Sequence, residues 1–250
     1  MQRSINDLIG SGMEATDGAI GKVDEFYFED DTWTIRYLVV KTGNWLSGRK
    51  VLISPEALVK AIRKSGIFPV NLTGQQILNS PDIDTDKPVS RQQEIALHEY
   101  YPWQNYWESG FYPGGVWGVI DGTPTIDRGI IEAAAIVKQS NDDLHLRSTH
   151  HVTGYHILAI DGEIGHVKDF IVDDETWQLL FLVVDTHNWL GGKKVLISVK
   201  HIKEVQWSNS KVFVDISTEA IKNSPAIDES VYLFPEAFHA VHDNPNIHLK

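Results

Sequence analysis

The chain has 250 residues, of which 42% are hydrophobic and 10% aromatic, a globular composition well above the level of a disordered chain. Its formal charge of −12 disfavours nonspecific nucleic-acid binding, which needs a cationic surface, and electrostatic attachment to anionic lipid. The absence of cysteine excludes disulfides, thiolate nucleophiles and cysteine metal sites.

Residues 1–12 hold no apolar core of signal-peptide length, and no run approaches the roughly 18 apolar residues of a membrane span, so a cytoplasmic protein without a transmembrane segment is expected. The first strand signal is residues 19–29, with apolar Ile20, Val23, Phe26 and Phe28 and with Gly21 breaking the run as a bulge would. Asp30-Asp31-Thr32 supplies a turn, and Trp33 to Thr42 reads as a buried strand centred on Tyr37-Leu38-Val39-Val40. A loop at residues 44–48 precedes a short strand at 50–53 and one helical turn at Ser54-Pro55-Glu56. Residues 58–64 and 67–72 resemble a hairpin closed around Ser65-Gly66. Thr73 then caps a short helix that ends at Asn79-Ser80-Pro81.

The same order returns 144 residues later. Residues 18–54 lie over 162–198 without a gap, and 21 of those 37 positions are identical. Arg3-Ser4 lies over Arg147-Ser148 and Asn79-Ser80-Pro81 over Asn223-Ser224-Pro225 at the same offset. Two units of about 80 residues mean a duplicated domain rather than a solenoid. Short strands with turns every 8–12 residues point to a small sandwich or barrel, and closure removes exposed edges. The fold class expected is therefore all-β: two tandem small β-barrels with short helices and a connecting arm. The divisions are 1–85, 86–145, 146–229 and a tail at 230–250.

The connecting segment differs from both repeats. Residues 91–101 have helical composition. An aromatic cluster of Tyr100, Tyr101, Trp103, Tyr106, Trp107, Phe111, Tyr112 and Trp117 follows, interrupted by Gly and Pro. Residues 121–143 turn polar and linker-like.

The elements Gly18-x-Ile20-Gly21-x-Val23, Phe26, Trp33, Tyr37-Leu38-Val39-Val40 and Lys50-Val51-Leu52-Ile53-Ser54-Pro55, most of them recurring in the second copy, resemble the PRC-barrel family over roughly residues 3–84 and 147–228. The middle segment resembles the extension of bacterial tandem PRC-barrel proteins. The resemblance implies a small, strongly bent β-barrel, known from the cytoplasmic part of the photosynthetic reaction-centre H subunit and from a ribosome-maturation factor. Those members dock or assemble and do not catalyse, so no catalytic residue carries over.

Candidate chemistry is sparse. His150, His151, His156 and His166 have no histidine counterparts in the first copy and read as scattered surface histidines, so no metal is expected. The acidic turns at 29–31 and 173–175 lack the ligand spacing of a calcium loop. No nucleophile elbow, phosphate loop or dinucleotide fingerprint is present, and neither catalysis nor a cofactor is expected. The candidate partner-binding residues are Trp45, Leu46, Trp189 and Leu190 in the repeated loops, and Trp103, Tyr106, Trp107 and Tyr112 in the arm. The resulting expectation is a noncatalytic adaptor that binds a protein partner and is open to homodimer formation. A photosynthesis-associated role and a ribosome- or RNA-associated role are the alternatives. Small-ligand binding in a barrel mouth or between the barrels stays open.

Overall fold

A computed structural model describes residues 1–43, 48–59, 66–81, 89–101, 103–107, 145–186 and 193–223. The first repeat contributes β1 (Gln2–Ser4), α1 (Ile5–Leu8), β2 (Gly12–Ala15), β3 (Gly18–Glu29), β4 (Thr34–Thr42), β5 (Lys50–Ile53), β6 (Ile67–Pro69) and α2 (Gly74–Leu78). The arm helix α3 spans Arg91–Tyr100. The second repeat contributes β7 (Leu146–Ser148), α4 (Thr149–Val152), β8 (His156–Ala159), β9 (Gly162–Asp173), β10 (Leu179–Asp185), β11 (Lys194–Ser198), β12 (Ile202–Gln206), β13 (Lys211–Val214) and α5 (Thr218–Asn223). The chain is all-β with a few short helices, arranged as two mixed sheets.

The first sheet runs β5-β4-β3-β2-β6, and the second runs β11-β10-β9-β8-β13-β12. The first five strands follow one order in both sheets, as the shared sequence pattern dictates, and β12 extends the second. Tyr37, Leu38, Val39 and Val40 are all fully buried, as a continuous apolar run requires when both faces of a strand are covered. Thr73 closes a capping box with Gln76 at the start of α2, and Ser217 Oγ accepts from Ala220 N at the start of α5. A register shift lies beside Gly21 on its β2 side. Gly21 is there because the backbones approach closely: a Cβ would stand 2.1 Å from Lys41 O, and 2.0 Å from Asp185 O at its twin Gly165.

The two sheets exchange their first strands. β1 of the first repeat pairs antiparallel with β9 (Arg3 opposite Val172), and β7 of the second pairs antiparallel with β3 (Arg147 opposite Phe28). The side chains follow the same pseudo-twofold. Arg3 Nε meets Asp174 Oδ2 at 3.0 Å and Arg147 Nε meets Asp30 Oδ2 at 2.8 Å; Ser4 Oγ donates to buried Asp169 and Ser148 Oγ to Glu25. The acidic turns thus anchor the exchanged strands.

Near the axis stand Trp33 and Trp177, both in the left-handed region at φ 54° and 61°. That conformation costs roughly 1–2 kcal/mol for a residue with a Cβ. Reciprocal backbone bonds hold it in place: Ile35 N donates to Trp177 O and Leu179 N to Trp33 O, each at 2.8 Å. One continuous core consequently contains residues of both repeats.

The duplication breaks on the outer faces of the sheets. In the second repeat Ile171 and Val183 form a small separate cluster with Phe181 and Leu196. The equivalent Tyr27, Val39, Tyr37 and Leu52 belong instead to the main core, together with Leu97 of α3 and Tyr101 just beyond it.

Candidate functional site

α3 starts at a second capping box, in which Ser90 Oγ accepts from Gln93 N and Gln93 Oε1 accepts from Ser90 N at 2.9 Å. With the first turn satisfied, the helix presents Glu94 and His98, four residues apart and so on one face, to the first sheet. Glu94 is fully buried and His98 is 6% exposed. A buried carboxyl costs several kcal/mol unless its oxygens find donors. Tyr37 donates to Glu94 Oε2 at 3.0 Å, and the Tyr106 hydroxyl donates to the same oxygen. Glu94 Oε1 lies 2.6 Å from His145 Nε2 and 3.3 Å from Arg91 Nη1. Sheet, helix, arm and the residue that leads into β7 are thereby tied to one side chain.

The surroundings shift the titrations in a consistent direction. Burial, and then Glu94, push the Tyr37 and Tyr106 hydroxyls well above the usual phenol range. Burial pushes Tyr101 up to about 12. Burial also pulls His98 below its ordinary value, against the opposing pull of Glu94 and Glu56. The tyrosines therefore stay protonated donors at neutral pH, and His98 favours its neutral form. Tyr37 Oη and His98 Nε2 stand 2.8 Å apart.

A pH dependence follows from His98. Its folded pKa is depressed, so the stability it contributes is present above its ordinary value of 6.5 and is lost as pH falls through the lowered folded value. Trp103 and Trp107 lie against the imidazole, at 5.7 and 4.7 Å between ring centroids. Acidification below pH 6.5 is expected to change their fluorescence before global unfolding, and His98→Gln is expected to flatten that early change. An unaltered profile in the variant would assign the titration to another group.

Three of the arm residues named from sequence come together. Trp103 stacks on Tyr101 at 4.3 Å and 18°, and Tyr106 meets Trp107 edge-on at 4.9 Å. The Arg36 guanidinium lies 3.9 Å over Tyr106, and Arg91 lies 4.5 Å over Trp107. Trp45, Leu46, Tyr112, Trp189 and Leu190 lie outside the described residues, as does the 121–143 segment. Of the histidines weighed as a metal group, His150 and His151 sit on α4, while His156 faces His166 across β8 and β9 with its Nδ1 2.7 Å from Glu163. Sequence reasoning missed Glu94, His98, His145 and Arg91 as a group. One signal was available: the repeat replaces Arg36-Tyr37 by Leu180-Phe181, losing the two polar groups that face the arm.

Beside this cluster a cleft of about 610 Å³ opens between the repeats. His98 and Tyr106 line one part, Arg36 and Phe68 come from the first repeat, and Asp174 and Trp177 come from the second. Trp177 packs against Phe26 and Phe68 at 6.2 and 6.1 Å between centroids. The cleft joins an aromatic wall to a polar rim, the usual make-up of a binding site.

A family model for the PRC-barrel domain matches residues 2–70 and, a second time, residues 148–221. The chain belongs to the PRC-barrel family. The first match starts at the exchanged strand β1, and the second starts at Ser148, the last residue of the exchanged strand β7. No curated protein matches the chain. No helix among the described residues is long and apolar enough to cross a membrane.

Proposed function

We propose that this tandem PRC-barrel protein is a noncatalytic adaptor or assembly module that binds a protein partner in the bacterial cytoplasm, with homodimer formation open to it. The supporting observation is the arm: an unrepeated segment fixed to one of two matching sheets, beside a cleft built from both repeats. Such a segment gives a symmetric scaffold one distinct face. Its buried carboxyl and phenols are committed to one another, and burial holds the Tyr37 and Tyr106 protons in place near neutral pH. That arrangement suits positioning better than acid–base work. The photosynthesis-associated and ribosome-associated readings rest on family likeness alone, and the charge of −12 weighs against RNA.

The test is affinity capture from native cells with cross-linking. A stoichiometric protein partner cross-linked to residues 89–107 or to the cleft is the expected result. Turnover of any compound in a broad substrate panel, or the lack of any stoichiometric partner, would overturn the reading.

A further inference from the structure

The outer face of the second sheet follows the plan of the first with a different chemistry. Ile171 and Val183 are 0% and 1% exposed and pack with Phe181 and Leu196, apart from the main core. Their twins in the first repeat are Tyr27, Val39, Tyr37 and Leu52, and Leu180 stands where the first repeat has Arg36. The second face has thus lost the Tyr37 phenol and the Arg36 guanidinium, which meet Glu94 and Tyr106 in the first.

The sequence after α5 carries the matching change. At the same 144-residue offset, residues 234–243 lie over 90–99 without a gap. The connector before them begins alike, with Asn223-Ser224-Pro225-Ala226-Ile227-Asp228 over Asn79-Ser80-Pro81-Asp82-Ile83-Asp84. Pro235 therefore follows α5 at the spacing at which Arg91 follows α2, so the chain has the length to reach the face. Val89, Glu94, Leu97 and His98 are buried, and their twins are Leu233, Phe238, Val241 and His242. Phe238 replaces the buried acid in the same repeat in which Phe181 replaces the phenol that donates to it. An acid facing Phe181 would lack a donor, whereas a phenylalanine there buries apolar surface. Ala96 and Glu99 are exposed on α3, and their twins are Ala240 and Asp243. Pro235 falls at the first helical position, where proline is favoured, and Pro245 falls just past the last, where it stops a helix.

We propose that residues 234–243 of this chain form a helix that occupies the outer face of the second sheet, as α3 occupies that of the first. Phe238 takes the Glu94 position over Phe181, and Val241 takes the Leu97 position. The inference is independent of the adaptor reading and adds a consequence to it. The second outer face belongs to the chain's own terminus, so the polar cluster and the aromatic run after α3 are what set the first face apart.

The test is photo-cross-linking in the full chain with p-benzoylphenylalanine in place of Phe181, read by mass spectrometry of the linked peptides. A link to residues 234–243 within one chain is the expected product. A link to 130–137, an apolar stretch of the connecting segment, overturns the proposal, and so does the absence of any link to 234–243. A link to 234–243 that joins two chains assigns the face to a second copy's terminus and overturns the intrachain placement.

Amide exchange tests the register. Phe238→Asp and Val241→Asp should each speed exchange at Val183 and Leu196 about tenfold or more, with the twins Val39 and Leu52 unchanged. Ala240→Asp introduces the same charge at the twin of exposed Ala96 and should alter none of these rates. Equal effects of all three variants, or no effect of the first two, overturn the proposal.

Discussion

Replacing Glu94 with alanine is expected to destabilise the protein by about 3–5 kcal/mol and to release the arm from the first sheet. The substitution removes a fully buried carboxyl to which the Tyr37 and Tyr106 hydroxyls donate, and beside which His145 and Arg91 stand. Several polar groups then lose a partner inside the protein, and each unsatisfied group costs about 1–3 kcal/mol. Glu94→Gln keeps the shape and one carbonyl oxygen and should lose less. Urea unfolding gives the magnitude, and the fluorescence of Trp103 and Trp107 reports the arm. A loss below about 1 kcal/mol with unchanged fluorescence would show that the arm is held by its aromatic packing alone.

The second large effect crosses from one repeat to the other. Deleting residues 2–4 should destabilise the second sheet by about 3 kcal/mol or more, although those residues belong to the first repeat in sequence. The deletion removes the three-residue ladder on β9, the Ser4 hydroxyl from Asp169 and the Arg3 guanidinium from Asp174. Burial already pushes the Asp169 carboxyl up, with Ser4 among the donors that oppose the shift. Without Ser4 that group loses a donor while keeping much of its burial. Amide exchange should therefore quicken at Ile171 and Val172 more than at their twins Tyr27 and Phe28. Faster exchange confined to the first sheet would refute the strand exchange.

Much of the scaffold could be read from residues. The continuous run Tyr37–Val40 marked a buried strand, and Thr73 marked a helix start, because those signals are local. Strand exchange left no such mark. A three-residue strand has no periodicity, and the recurrence of Arg3-Ser4 as Arg147-Ser148 says that the pair matters without saying which sheet it joins. The left-handed backbone at Trp33 and Trp177 was also hidden: Asp30-Asp31-Thr32 signals a turn, but the bonds from Ile35 and Leu179 that help to hold the tryptophans cross to the other repeat. The Glu94 cluster joins residues 37, 91, 94, 106 and 145, and only the fold brings them together. The arm aromatics stood out by composition. Their organising acid did not, because a lone glutamate on a helix looks like a solvated one.

The strand exchange carries the rest of the account, because the cleft takes its walls from both repeats and exists only while they are held together. The most direct measurement is urea unfolding of the full chain followed by amide exchange in both sheets at once. Interlocked repeats predict one cooperative transition, with the β3 and β9 amides losing protection at the same urea concentration. Two separate transitions, one for each repeat, would contradict it.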